Sequence, residues 1–488
     1  MHLVELRKTV SLEDYASFAH LTRAVQELHA EAAMLSPRLK GRSVLMVNSA
    51  EQGGGVAEML PTQVLMLREL GIEANWAVIG SDNPEFFRLT KRLHNLVHGE
   101  GNPELSPADK ALYDEVSRAN ADQLRAHLKP GDILIVHDPQ PFGVGALLKK
   151  ELKLKTIWRC HIGLDKHTAA TRAAWLFLKP YAQPYDYAVF SASEYIPDFF
   201  AGRACVIYPH IDPLSHKNRQ LHPHKLAGIL CNSGLVEPDA PVLTSPFPAR
   251  PQRLQADGSF GLPVQPDTIG LLYRPIITQI SRWDRLKGFR PLMEGFLRFK
   301  RCPLQEKSVP HRHDRRREIV RLVLAGPDPN SIQDDPEAQE ILAELCSYYR
   351  QLPAECQRDI VLLALPMESR KNNALIVNAL QTCSRIVAQN SLQEGFGLTA
   401  TEAMWKAIPV MGTSACGLRH QIRDGVDGRL VNNPEDTEGI AAVLDEMLQR
   451  PQTLERWGRN AQLHVHNEFL IFSQLSRWLR LLVEVVSR

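Results

Sequence analysis

The sequence predicts two doubly wound α/β domains, each a parallel sheet with helices on both faces. Three observations carry that reading. Short apolar runs alternate with stretches of helical spacing along most of the chain. The alternation stops in a proline-rich interval, residues 216–268, and then restarts. In both halves, polar or glycine-bearing turns follow the apolar runs, where open α/β sheets collect ligands. A length of 488 residues independently asks for two or three domains.

Taken in order, Tyr15, Phe18, Leu21, Val25 and Leu28 recur at helical spacing within residues 12–35. SVLMVNS (43–49) reads as the first strand; glycines 53–55 and a helical run from Val56 to Leu70 follow. NWAVIG (75–80), DILIVHD (132–138), TIWRCHI (156–162), YAVFSA (187–192) and CVIYPHI (205–211) complete the first half. HPHKLAG, EPDAPVLTSPFPARPQ and GLPVQPD make 216–268 an irregular linker or insertion. The second half offers PIITQIS (275–281), IVRLVLAG (319–326), DIVLLAL (359–365), SRIVAQN (384–390) and IPVMGTS (408–414). A basic stretch at 300–318 reads as a solvated surface insertion. Near the C-terminus, Leu475, Trp478, Leu479, Leu482 and Val483 share one helical face, which suits a packed final helix better than a membrane surface. The expected domains are 1–215 and 269–469, with a cleft between them.

Composition narrows the function classes. Apolar residues are 44% and charged residues 23%, as in a soluble globular protein. The balance of 57 basic to 55 acidic residues, +2 overall, asks for neither nucleic acid nor a membrane surface. No window approaches the roughly 18 apolar residues of a membrane span. The N-terminus lacks the apolar core of a signal peptide. Eight cysteines without a C-x-x-C pair suggest neither zinc nor a disulfide framework, so a reduced, cytoplasmic enzyme is expected. Asp334-Asp335 lies in a polar loop before a proline, and no metal site is expected.

The stretch SLQEGFGLTATEAMWK (391–406) carries the most chemistry. Glu394 would sit beyond a strand tip and Glu402 in the next helix, around the turn Gly395-Phe396-Gly397. The amides opening that helix at Leu398 suit a phosphate, and the carboxylates suit sugar hydroxyls. A capping box, Thr399-x-x-Glu402, is the competing structural reading. Arg282 and Lys287, in SRWDRLKG, come off another strand end, where two cations would stabilise a departing diphosphate. In the first half, Gly53, Gly54 and Gly55 let backbone approach a ligand, or simply make a tight turn. His137, Asp138 and His161 end strands there and would meet sugar hydroxyls, or else are satisfied structural groups.

These residues match a known family. RWDRLKG followed by Glu-x7-Glu around GFG resembles the retaining glycosyltransferases of the GT-B fold, glycosyltransferase family 4. NSAEQGGGVAEML, LVHDPQP, WRCHI, IDPLSHKN and EGFGLTATEAMWK narrow the resemblance to trehalose synthases of the glycosyl-transferring type and trehalose phosphorylases, over most of residues 40–475. The resemblance implies an acceptor-side first domain, a nucleotide-sugar-binding second domain, and a helix at 470–488 that packs back on the first. It implies that Arg282 and Lys287 hold the donor diphosphate. Glu394, with the Gly395, Phe396, Gly397 and Leu398 backbone, would face the donor sugar, and Glu402 the ribose. Gly54 and Gly55 would lie against phosphates or acceptor, His161 near the sugar, and His137 and Asp138 toward the acceptor. The implied activity is a hexosyltransferase moving glucose from UDP-, ADP- or GDP-glucose to a small sugar, with trehalose as product and no metal or other cofactor. A phosphorylase using inorganic phosphate and a non-catalytic nucleotide-sugar binder are the alternatives; a homo-oligomer is left open. The chain departs from the pattern at Ser49-Ala50-Glu51-Gln52, on the acceptor side, and in the intervals 216–268 and 300–318.

Overall fold

The computed structural model describes residues 1–7, 10–51, 55–237, 244–264, 268–301, 312–329 and 336–488. The chain forms two compact units, one of Met1–Asp212 with Asn467–Arg488, the other of Pro213–His466. Each is a Rossmann-like α/β unit.

The first unit holds β1 (His2–Leu3), β2 (Ser43–Asn48), β3 (Glu73–Val78), β4 (Ile133–His137), β5 (Lys155–Cys160), β6 (Tyr187–Phe190) and β7 (Ala204–Val206). Their order is β1-β3-β2-β4-β5-β6-β7, parallel except for the short edge strand β1. β2 and β4 are buried at every residue, which is why their sequences are continuous apolar runs rather than alternating ones. The chain leaves β2 to one side for β3, then crosses to the other side for β4. This reversal makes the β2–β4 boundary the switch point of the sheet.

Two elements of this unit differ from the sequence expectation. Residues 12–35 form two helices, Leu12–Ala16 and Ala19–Leu35, because Ser11 and Asp14 close a capping box on the first and Phe18 is extended between them. Of CVIYPHI only Cys205 and Val206 lie in a strand; Ile211 instead exchanges backbone hydrogen bonds with Phe469 and Ile471, at 2.9 and 3.2 Å. That pairing anchors the C-terminal helix Ile471–Ser487, which packs on the helix Ala19–Leu35 and buries Leu475, Trp478, Leu479 and Leu482.

The second unit contains β8 (Gln252–Leu254), β9 (Phe260–Gly261), β10 (Ile276–Ile280), β11 (Arg321–Pro327), β12 (Ile360–Leu365), β13 (Ile386–Gln389), β14 (Val410–Thr413) and β15 (Gly428–Val431). The order is β15-β14-β13-β10-β11-β12-β8-β9, with β10 to β15 parallel. Leu322 and Leu324 join the core on one face, and Val323 and Ala325 the core on the other, as the two-residue period of a strand demands. Here the switch point lies between β10 and β13, whose Ile277 pairs with Ile386.

Residues 216–268, expected as an irregular linker, contribute structure of their own. A helix, Pro223–Asn232, packs on the helix Arg370–Thr382, and the hairpin β8–β9 extends the sheet antiparallel to β12. The strands have three and two residues, too short to print a period on the sequence. Asp334-Asp335 and most of the basic interval, 302–311, lie outside the described residues.

Leu479 is fully buried in the C-terminal helix, so Leu479→Ala is expected to cost about 2–5 kcal/mol of stability. Urea denaturation measures it; a loss below about 1 kcal/mol contradicts the packing described.

Candidate functional site

The adjacency of β10 and β13 brings the two motifs of the second half together. Beyond β10 the chain makes the turn Ser281–Gly288; beyond β13 it runs through Asn390 to Gly397. The segments are stitched side to side. Gln279 donates to the Lys287 carbonyl at 2.7 Å and accepts from the Asn390 amide at 2.9 Å; Leu392 N–H donates to the Leu286 carbonyl at 2.7 Å. Gly288 is left-handed, φ 58°, and a Cβ there would stand 2.1 Å from the Asn390 carbonyl oxygen, so the close approach requires glycine.

This stitching places Lys287 Nζ 2.8 Å from Glu394 Oε2, with both side chains largely buried. The same oxygen accepts from Ser391 Oγ at 3.0 Å and Gln389 Nε2 at 3.2 Å. Arg282, expected beside Lys287, is exposed and instead approaches Asp284 at 3.6 Å.

The helix carrying Glu402 runs Leu398–Trp405 and begins at Gly397, φ 91°, with no side-chain cap. Thr399 therefore stands inside the helix, not at its cap, and the capping-box reading of Glu402 does not apply. Phe396 is buried, and its carbonyl accepts from Gln421, which also receives the Thr401 hydroxyl. The helix thus starts without a side-chain cap, beside a turn tied down by Gln421.

Two cations near Glu402 escaped the sequence reading. The buried Glu402 has Lys217 Nζ 3.6 Å from its Oε1. Lys406 donates to the Glu402 carbonyl at 3.0 Å and to Gln381 Oε1 at 2.8 Å. Loss of solvent pulls the Lys406 ammonium down to about 7, with Glu402 opposing and Lys217 reinforcing. Lys217 stands in the quoted string IDPLSHKN; its 185-residue separation from Glu402 hid the contact.

In the first unit, His137, Asp138 and His161 do meet, at the tips of β4 and β5. His137 Nδ1 lies 3.1 Å from His161 Nε2, the rings stacked with centroids 5.4 Å apart. Asp138, left-handed at φ 64°, accepts from the His161 amide at 2.7 Å. Behind them sits Arg159, fully buried, with Nε and Nη1 unpartnered among the described residues. Gly55 opens the helix Gly55–Glu69 and is exposed. Gly54 lies outside the described residues.

Burial first, and Arg159 second, push His137 and His210 down to about 3 and His161 well below its usual range. Burial raises Asp138 to about 6, against the lowering effects of the His161 amide and Arg159. The signs oppose. As pH falls below about 6.5, the unfolded chain takes protons at three histidines that the fold refuses, so stability is lost. Asp138 is protonated first in the folded state, so it adds stability from about 6 down to its ordinary 3.8. Three groups outweigh one. His210→Gln is therefore expected to flatten the decline in unfolding free energy between pH 6.5 and 4.5 by up to about 1.4 kcal/mol per pH unit. An unchanged slope in urea titrations would contradict the neutral state of His210.

Residues 46–197 match the family described as trehalose synthase, N-terminal domain, and residues 367–464 match glycosyl transferases group 1. The chain is 33% identical to a trehalose synthase of Pyrococcus horikoshii, over 96% of this chain and 95% of the relative. It is also 33% identical to a trehalose synthase of Rubrobacter xylanophilus, over 98% and 97%. A trehalose phosphorylase of Pleurotus sajor-caju is 26% identical over 89% of this chain and 57% of its own length. Among solved structures, an α,α-trehalose-phosphate synthase (UDP-forming) from Burkholderia xenovorans shares the fold, with a TM-score of 0.61 at 15% identity over 91% of this chain and 100% of that one. The chain is a GT-B glycosyltransferase and belongs to the trehalose synthase family.

Proposed function

We propose that this enzyme is a retaining, metal-independent glycosyltransferase of family 4 that moves glucose from a nucleoside-diphosphate-glucose to free glucose, giving trehalose. The observation that carries the reading is the Lys287–Glu394 pair beside the helix start at Leu398, at the switch point of the second sheet. The names of the relatives, trehalose synthase in both archaeal and bacterial sequences, support the product.

The chemistry needs negative charge stabilised on the leaving diphosphate while an oxocarbenium-like centre forms at the glucose C1. Lys287 and Arg282 supply positive charge and the Leu398 helix supplies amides, a set that serves without a metal ion. Glu394, oriented by Lys287, Ser391 and Gln389, accepts from donor hydroxyls. The bond from C1 to the phosphate oxygen breaks, the acceptor oxygen bonds C1 from the same face, and its proton passes to the departing phosphate oxygen. His161, His137 and Asp138 offer partners for acceptor hydroxyls, and neutral imidazoles can both donate and accept. Glu402 receives the ribose. No cofactor beyond the donor is invoked. Seven described cysteines are free, which suits the reduced cytoplasm we assign to the enzyme.

A phosphorylase is the second reading, favoured by the relatives named trehalose phosphorylase. The same cations would hold inorganic phosphate.

Incubation with UDP-, ADP- or GDP-glucose and glucose in EDTA, followed by proton NMR, is expected to yield the anomeric signal of an α,α-linked disaccharide. Trehalose consumption with phosphate, and no reaction with any nucleotide donor, would assign the phosphorylase instead. Lys287→Ala and Arg282→Ala are each expected to lower kcat about 10²-fold or more, the scale of one lost charge-stabilising group. Near-normal turnover in both variants would defeat the assignment.

A further inference from the structure

Glu402 is the least solvated carboxylate of the second unit's site, its side chain 8% exposed, yet its neighbour across the chain is a lysine to which the reaction assigns no part. Lys217 Nζ stands 3.6 Å from Glu402 Oε1, with its own side chain 28% exposed. This is not the solvated pair that contributes little on a protein surface.

The backbone beneath Lys217 is held in place. Asn378, wholly buried in the helix Arg370–Thr382, donates through Nδ2 to the His216 carbonyl at 3.0 Å and to the Arg219 carbonyl at 2.9 Å. The Asn218 and Arg219 amides both turn back on the Ser215 carbonyl, at 3.0 and 2.8 Å. Lys217 is therefore carried on a clamped turn aimed at the Leu398–Trp405 helix. The other nearby cation, Lys406, spends its hydrogen bonds on the Glu402 carbonyl and Gln381, so its contribution to the carboxylate is through space.

A carboxylate that receives a vicinal diol must present its oxygens in a fixed direction, and an adjacent ammonium on a clamped turn provides that orientation. At 3.6 Å from Oε1 the contact is an ion pair, long for a charge-assisted hydrogen bond. The arrangement orients the carboxylate while leaving acceptor positions for a vicinal diol.

We infer that Lys217 is a positioning residue for nucleotide recognition: it orients the Glu402 carboxylate to receive the ribose hydroxyls of the donor. The inference rests on the donor reading above and adds to it a residue that confers selectivity for ribose over 2′-deoxyribose.

The test uses the full-length enzyme, its preferred nucleoside diphosphate and the 2′-deoxy counterpart, with calorimetric affinities and steady-state constants. Lys217→Met is expected to weaken nucleoside diphosphate binding and raise donor KM about tenfold, the order of one misplaced hydrogen bond between Glu402 and the ribose, with the loss falling on KM rather than kcat. The preference for ribose over 2′-deoxyribose should largely vanish in Lys217→Met. Lys217→Arg should recover most of it, and Lys217→Met should add little in a Glu402→Gln background. Lys217→Gln provides the same readout if the methionine variant does not fold. Unchanged affinity, or weakening equal for both sugars with the preference intact, would overturn the role of Lys217 while leaving the donor reading standing. Wild-type enzyme that binds no nucleoside diphosphate would overturn the donor reading and this inference with it.

Discussion

The pairing of β10 with β13 is the constraint on which the second unit's site depends. The two strands are more than 100 residues apart in sequence, yet Ile277 and Thr278 lie in register with Ile386 and Val387. Because parallel strands end on the same side of a sheet, their following loops must share one edge. Lys287 and Glu394 can then meet, and Gly288 can press against Asn390 without a side chain in the way. Move β13 one place along the sheet and the site comes apart, though every local element could still form.

The Lys287–Glu394 pair is poor evidence of stability and good evidence of function. Two charges removed from water recover their desolvation cost only with well-placed partners, and replacing such a pair by apolar groups is often neutral. Here Glu394 Oε2 receives three side-chain donors, while the adjoining helix starts without a side-chain cap. An apolar pair would hold these loops as well. What it would not provide is a cation ready for an anionic ligand, next to backbone amides that also favour one.

Much of this was legible in the sequence, and the failures have a physical pattern. The long buried strands were readable because burial on both faces demands unbroken apolar runs, as in Ile133–His137 and Ile360–Leu365. β8 and β9 were not, since strands of three and two residues cannot show a period, nor was β15, whose four residues are only partly buried and include Arg429. Proline misled in both directions: it marked 216–268 as irregular, although Pro223 stands where a helix accepts it, in the first turn. Glu394 and Glu402 were visible as a spaced pair around glycines. Lys217 was not, because only the folded chain brings it to Glu402. Arg282 was read as Lys287's companion from their spacing, and spacing alone does not say that one side chain turns inward and the other outward.

The two units treat charge in opposite ways, and the difference is chemical. Loss of solvent, reinforced by a buried Arg159, disfavours the charged form of His137 and His161 at the tips of β4 and β5 and of His210 beyond β7. A neutral imidazole presents one donor and one acceptor, which is what a sugar hydroxyl can use, and it brings no net charge to compete for phosphate. Beyond β10 and β13 the side chains are ionic, with Lys287 on Glu394 and Lys217 on Glu402. On the function proposed above, those pairs bring positive charge for a diphosphate and negative charge for hydroxyls together in space, though the partners lie more than 100 residues apart in sequence. On that proposal, sorting neutral polar groups to one sheet and balanced ion pairs to the other would suit one chain to an uncharged sugar and a polyanion, with neither site favouring the wrong ligand.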